Sequence, residues 1–249
     1  MRILGYIEKQ AQTLYIEDPA AKSLFAVMDF ALYWRKSMGA VQEGDYRMEL
    51  DHRRRVIFYG DSNTYGYDPA DLADMRYSWS QRWTSIAAER LKGQFEVIPE
   101  GMNGRKLPDI CSEQRYLEQL ISLTGQDGIL CTMLGTNDIL LTIDPDAGIP
   151  IRKMENYVGH MKEHLQQRQI LVIAPVPIGN SNTPDPLYRN YFSESRKMND
   201  AFRSIALKEG VLFADAAEWD ISLAYDQVHF SVEGHRQFAE RIISLLRSL

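Results

Sequence analysis

From Arg54 onward, short apolar runs recur at 55–59, 95–99, 128–134, 169–174 and 211–214. Between and after them lie segments whose apolar residues return at helical spacing: 79–92, 110–123, 152–168, 192–209 and 232–248. Strands that alternate with helices pair in parallel, because each helix carries the chain back to the same end of the sheet. The pattern predicts an α/β fold, a three-layer α/β/α arrangement with a central, mainly parallel five-stranded sheet. Three of the runs end in polar, glycine-containing segments: Gly60-Asp61-Ser62, Glu100 through Gly104 to Arg105, and Gly135-Thr136-Asn137-Asp138. Ligands of open α/β sheets bind past the carboxyl ends of the strands, so these three loops are expected to converge on one site.

Residues 1–53 have a different character and read as an N-terminal helical extension ahead of a domain over 54–249. Asp18-Pro19 supplies an N-cap and first-turn pair, and Ala20 to Met38 runs without Gly or Pro up to Gly39. Apolar residues from Leu24 to Trp34 cover more than one face of that helix, which predicts burial against the main body or a second copy of the chain. A homo-oligomer through this helix is one expected outcome.

Composition narrows the classes. With 45% hydrophobic and 25% charged residues the chain is ordinary for a globular protein. A formal charge of −6 and no long basic run speak against nucleic acid or an anionic membrane as partner. The first residues offer no secretory apolar region and no window approaches the ~20 apolar residues of a membrane span, so a cytoplasmic protein is expected. Cys111 and Cys131 then read as reduced, buried thiols.

The polar segments at the strand ends carry a specific chemistry. Acyl transfer needs a nucleophile, a base, an orienter for the base, and donors for the oxyanion. Ser62 leaves an early strand with its hydroxyl free to serve as nucleophile. Asp226 and His229 lie three apart in one loop, where a single turn presents an imidazole and the carboxylate that fixes its tautomer. Asn137 offers a side-chain amide, and Gly104 a backbone N–H that a substrate reaches easily because no Cβ stands in the way. Each residue alone has a plainer reading: a helix N-cap serine, a surface loop, two turn formers. Four such segments in order outweigh the plainer readings.

Gly60-Asp61-Ser62, Asn103-Gly104, Gly135-Thr136-Asn137-Asp138 and Asp226-Gln227-Val228-His229 resemble blocks I, II, III and V of the SGNH (GDSL-type) hydrolases. Strings at 95–101, 133–138 and 170–175 are similar to the arylesterase/acyltransferase branch. The resemblance covers residues 54–249 and departs at Asn63, where block I often has Leu. It implies a serine esterase of small carboxylic esters with catalytic Ser62, Asp226 and His229, an oxyanion hole from Ser62, Gly104 and Asn137, and no cofactor or metal. It also implies transfer to alcohols as a branch of the reaction, with a carbohydrate O-deacetylase as the alternative within the family. A catalytically idle binding module is the non-enzymatic alternative. Short-chain acyl esters, acetylated sugars, aryl esters and thioesters all fit the same machinery.

Tyr65, Tyr67, Trp79 and Arg105 are candidates for the walls of the pocket, Arg105 as a partner for an anionic substrate group. Against this, Trp79 and Trp83 are four apart and fit one helix face packed on the sheet. The segment 178–191, rich in Pro, Asn and Ser, reads as a surface loop overhanging the site. His160-Met161-Lys162-Glu163-His164 matches the H-x-x-E-H pattern of inverted zinc proteases, yet reads as the solvated face of a polar helix.

Overall fold

The computed structural model describes residues 53–249 apart from 72–74 and 181. The expected helix at 20–38, and with it the proposed extension and its role in self-association, lies outside the described residues. Five strands appear at the expected places: β1 (Arg54–Gly60), β2 (Phe95–Gly101), β3 (Ile129–Met133), β4 (Ile170–Ala174) and β5 (Leu212–Asp215). They form one sheet in the order β2-β1-β3-β4-β5, with every pairing parallel. Pro99, which has no N–H to give a ladder, is tolerated because β2 is an edge strand.

Period-two alternation sends the two halves of each strand to different layers. Val56 and Phe58 of β1 pack with Trp83, Phe238 and Ile242, from helices α2 (Trp83–Leu91) and α7 (Val232–Arg247). Ile57 and Tyr59 pack with Leu117, Tyr157 and Phe202, from α3 (Ile110–Thr124), α5 (Gly148–Lys162) and α6 (Pro186–Glu209). Both faces of the sheet are thus covered, as a parallel sheet requires. The chain reverses its direction of travel across the sheet between β1 and β3, so the crevice past their carboxyl ends is the topological switch point. Two short helices start there: α1 (Ser62–Tyr65), directly after β1, and α4 (Thr136–Leu140), directly after β3.

Four local expectations are corrected. The helix over 79–92 divides, because Arg82 takes an extended backbone (ψ 132°) between a 3-10 turn at Trp79–Gln81 and α2. Trp79 is 48% exposed while Trp83 is buried, so the two tryptophans do not share a packed helix face. The loop expected through residue 191 stops at Asp185, whose side chain accepts from Leu187 N–H as an N-cap, with Pro186 in the first turn of α6. Cys111 is exposed; only Cys131 is buried. Among the described residues no helix is long and apolar enough to cross a membrane.

Candidate active site

The site begins where β1 ends. Asp61 caps α1 by accepting the Asn63 N–H at 3.0 Å. Gly60 has to be glycine, because a Cβ there would meet Thr64 Oγ1 at 2.1 Å. Burial pushes the Asp61 carboxyl up to about 6 against the pull of the Asn63 N–H. Ser62 therefore sits on a rigid turn, at the first position of a helix whose leading N–H groups have no partner inside the helix.

His229 arrives from the loop before α7. Gln227, at φ +59°, turns that loop back on itself. Asp226 Oδ1 accepts the N–H groups of Val228 and His229 at 3.1 and 3.0 Å. Its other oxygen, Oδ2, is then aimed at His229 Nδ1, 2.6 Å away, while His229 Nε2 lies 2.9 Å from Ser62 Oγ. Assigned from these partners, Nδ1 carries the proton and the lone pair of Nε2 faces the serine hydroxyl. Burial alone would raise the Asp226 carboxyl; its bonds to the imidazole and to the two backbone N–H groups bring it below the ordinary value. Tyr67 lies against the imidazole, with ring centroids 4.5 Å apart.

Gly104 and Asn137 follow the ends of β2 and β3. Met102 N–H and Arg105 Nη1 both donate to Gly60 O, at 3.2 and 2.9 Å, which pins the loop after β2 to the end of β1. Gly104 in that loop has φ +74°, and a Cβ there would meet nothing within 4 Å. Its glycine is thus required by the left-handed backbone, and the space beside it is open. Asn137, buried in α4, donates from Nδ2 to Arg105 O at 3.1 Å and keeps a second N–H on the same nitrogen. The neighbouring Asp138 accepts Leu107 N–H at 2.8 Å and Lys153 Nζ at 3.0 Å, and Lys153 donates also to Leu107 O at 3.0 Å. These bonds fasten the Gly104 loop to α4 and α5.

Arg105 is corrected: it is buried, not a substrate contact. Its guanidinium lies 4.7 Å from the Tyr59 ring centre, and beyond Gly60 O it bonds Glu100 O and the Tyr116 hydroxyl. Tyr65 is covered by Arg76, whose guanidinium carbon stands 4.0 Å from the ring centre. Of the four wall candidates, only Tyr67 is brought into ring contact with His229. Sequence reasoning missed Tyr188, whose hydroxyl donates to Asp226 O at 3.4 Å, and Gly179, whose N–H donates to Gln227 O at 2.8 Å. Thus part of the 178–191 segment does lie against the loop that carries His229.

His160, Glu163 and His164 each bring one ligand-capable atom to within 4.8 Å of the others. The helix face there is not simply solvated, since the His160 side chain is 16% exposed. The group sits where α5 ends, ahead of β4, and so at the opposite end of the sheet from Ser62.

Residues 58–237 match the model of the GDSL-like Lipase/Acylhydrolase family. Among solved structures, the chain is similar to the aryl esterase of M. smegmatis, at 25% identity with a TM-score of 0.64 over 79% of this chain and 99% of that one. A putative arylesterase from Agrobacterium tumefaciens str. C58 matches at 25% identity and a TM-score of 0.63, over 78% of this chain and 99% of that one. The carbohydrate acetylesterase Est24 from Sinorhizobium meliloti shares the fold, at 24% identity and a TM-score of 0.65 over 79% and 99% of the two chains. No curated protein matches.

Proposed function

Because the chain belongs to the GDSL-like lipase/acylhydrolase family, we propose that it is a serine esterase acting on small carboxylic esters, short-chain acyl or aryl, through an acyl-enzyme. The observation that carries this reading is the unbroken line Asp226–His229–Ser62, with contacts of 2.6 and 2.9 Å. Ser62 Oγ attacks the ester carbonyl as its proton passes to His229 Nε2, and Asp226 stabilises the imidazolium that forms. The tetrahedral oxyanion is met by the free N–H of Asn137 and by the backbone N–H groups of Ser62 and Gly104. His229 then gives its proton to the departing alkoxide, leaving the acyl group on Ser62. Water attacks that acyl-enzyme with His229 as base, the acid leaves, and Ser62 recovers its proton. An alcohol in place of water yields a new ester, so transfer competes with hydrolysis in proportion to how well the site holds the alcohol.

The names of the similar arylesterases support this choice over an idle binding module. The experiment is hydrolysis of p-nitrophenyl acetate by the wild type and by Ser62→Ala, followed by an ester panel graded in acyl length and leaving group. Turnover that disappears with Ser62 is the expected result. Wild-type turnover no faster than the Ser62→Ala background would favour the binding module. Product analysis at fixed alcohol concentration measures the transfer branch, and hydrolysis alone would reject it.

A further inference from the structure

Asn63 follows the nucleophile directly and is buried, at 7% exposed. Its side chain reaches across 165 residues of sequence to the loop of the base. There Nδ2 donates to Val228 O at 3.2 Å and Oδ1 accepts the Phe230 N–H at 2.8 Å. Val228 and Phe230 are the two neighbours of His229, so one amide brackets the imidazole's backbone on both sides. The pairing also fixes the orientation of the amide, since a carbonyl takes only a donor and an N–H only an acceptor.

The bracket is itself held. The Asn63 N–H goes to Asp61 Oδ1 at 3.0 Å, and its carbonyl accepts the Trp83 indole N–H at 2.8 Å. Trp83 is a core residue of the layer formed by α2 and α7. The chain from the packed core to His229 therefore runs through Trp83, the Asn63 backbone and the Asn63 amide. The other bonds to the backbone around His229 come from its own loop: Asp226 Oδ1 accepts the Val228 and His229 N–H groups, and Ala224 N–H donates to His229 O at 2.7 Å. Gly179 N–H and the Tyr188 hydroxyl reach the loop earlier, at Gln227 O and Asp226 O.

We infer that Asn63 is a positioning residue: it locks the loop of the base onto the helix of the nucleophile and so sets the separation of His229 Nε2 from Ser62 Oγ. The inference rests on the esterase reading for its consequence in catalysis, but its geometry is independent of the substrate. A leucine of similar size fills the space and makes neither bond. An aspartate of the same shape keeps an acceptor for Phe230 and sets a second acceptor against the Val228 carbonyl.

The test compares wild type, Asn63→Leu and Asn63→Asp, each also in the Ser62→Ala background. Misplacement of a reacting group by about 1 Å costs on the order of 10²-fold, so Asn63→Leu is expected to lower kcat on that scale with little change in KM. Asn63→Asp should lose activity too, which a space-filling role would not predict. Neither change should slow the residual rate of Ser62→Ala, because the contact being positioned is already gone. Amide exchange at Phe230, read by NMR, should speed up in Asn63→Leu, which removes its acceptor, independently of turnover. An undiminished kcat, an equal loss in the Ser62→Ala background, or unchanged exchange at Phe230 in Asn63→Leu would overturn the inference. A wild type with no Ser62-dependent turnover removes the esterase reading alone, and the exchange at Phe230 then decides the clamp. Should Asn63→Leu fail to fold, Asn63→Asp carries the kinetic readings and Asn63→Ala, which also removes the acceptor, carries the exchange reading.

Discussion

Among the described residues two places set an acid and an imidazole three residues apart, Asp226 with His229 and His160 with Glu163, and only the first makes a tight pair. Asp226 Oδ2 stands 2.6 Å from His229 Nδ1, whereas Glu163 Oε2 is 3.9 Å from His160 Nδ1. Spacing is the same; anchoring is not. Asp226 spends its other oxygen on two backbone N–H groups of the same turn, which leaves its side chain one orientation. The Glu163 side chain is 72% exposed at the end of a helix, free to rotate in water. The far nitrogens differ as well: His229 Nε2 meets Ser62 Oγ, and His160 Nε2 is buried without a hydrogen-bond partner. Proximity in sequence brings an acid and a base together, but a distant third residue and fixed backbone donors turn the pair into machinery.

The strongest way to break the contrast is to remove the third residue or the base. Ser62→Ala and His229→Ala are each expected to abolish ester hydrolysis, with a loss on the order of 10⁶-fold in kcat by analogy with a serine protease triad. Circular dichroism should show both variants folded, since neither side chain is part of the apolar core. Retained turnover in either would remove the proposed mechanism. Asp226→Asn is the next largest change. It keeps the shape and disturbs the tautomer, and in the serine protease example the same substitution cost ~10⁴. Glu163→Gln, the matching change in the second pair, should leave the rate where it was.

Asn137→Ala acts on the donors and not on the pair. Loss of one oxyanion donor is worth ~10² to 10³ in kcat, with KM nearly unchanged because the amide meets charge that exists only after attack. Steady-state kinetics separate the two constants. An effect confined to KM would make Asn137 a substrate-binding group.

What could be read in advance follows the range over which each interaction acts. The sheet was legible because its strands are short apolar runs, three of them closed by glycine-containing segments, and the Val56/Phe58 against Ile57/Tyr59 alternation decides which layer each side chain joins. Ser62, Asn137, Asp226 and His229 were singled out by local signals: Gly60-Asp61 ahead of the serine, Gly135-Thr136 ahead of the asparagine, and the three-residue spacing of Asp226 and His229. Arg105 was misjudged because an arginine in a loop usually faces water, and its partners Gly60 O and Tyr116 belong to other elements. The start of α6 was signalled by Asp185-Pro186, the same cap pair used to place a helix after Asp18-Pro19, but the Pro, Asn and Ser around it masked the signal. The Asn63 bracket had no local signal at all, since both its partners lie near residue 229.

A third histidine sharpens the comparison through stability. His235 has no acid beside it; its Nδ1 accepts the Trp83 N–H at 3.4 Å, and its Nε2 is buried without a partner. Burial, with help from the nearby Arg82 and His229 charges, pushes it from 6.5 down to about 3. Below 6.5 the unfolded chain binds a proton that the folded one refuses, so stability from this group falls as pH drops from 6.5 toward 3. At ~1.4 kcal/mol per unit, that is a loss of a few kcal/mol. Asp61, raised from 3.8 to about 6, works the other way: the folded state holds the extra proton, and stability rises as pH falls across that window. Urea midpoints measured from pH 7 to 4 should therefore decline less steeply in His235→Gln than in the wild type. Equal slopes would clear His235 of the acid sensitivity.

The smallest effect is expected at the other pair. His160, Glu163 and His164 have the types and spacing of metal ligands. They stand at the end of α5, and α5 carries the chain from the α4 side of the sheet to the beginning of β4, at the far end from Ser62. The proposed reaction takes its proton transfers from His229 and its oxyanion donors from Asn137, Ser62 and Gly104, so no step calls on this group. His164→Ala, and prolonged incubation of the wild type with EDTA, should both leave kcat and KM of ester hydrolysis within experimental scatter. Loss of activity on chelation, restored by zinc and absent in His164→Ala, would join the two ends of the molecule and overturn the division drawn between them.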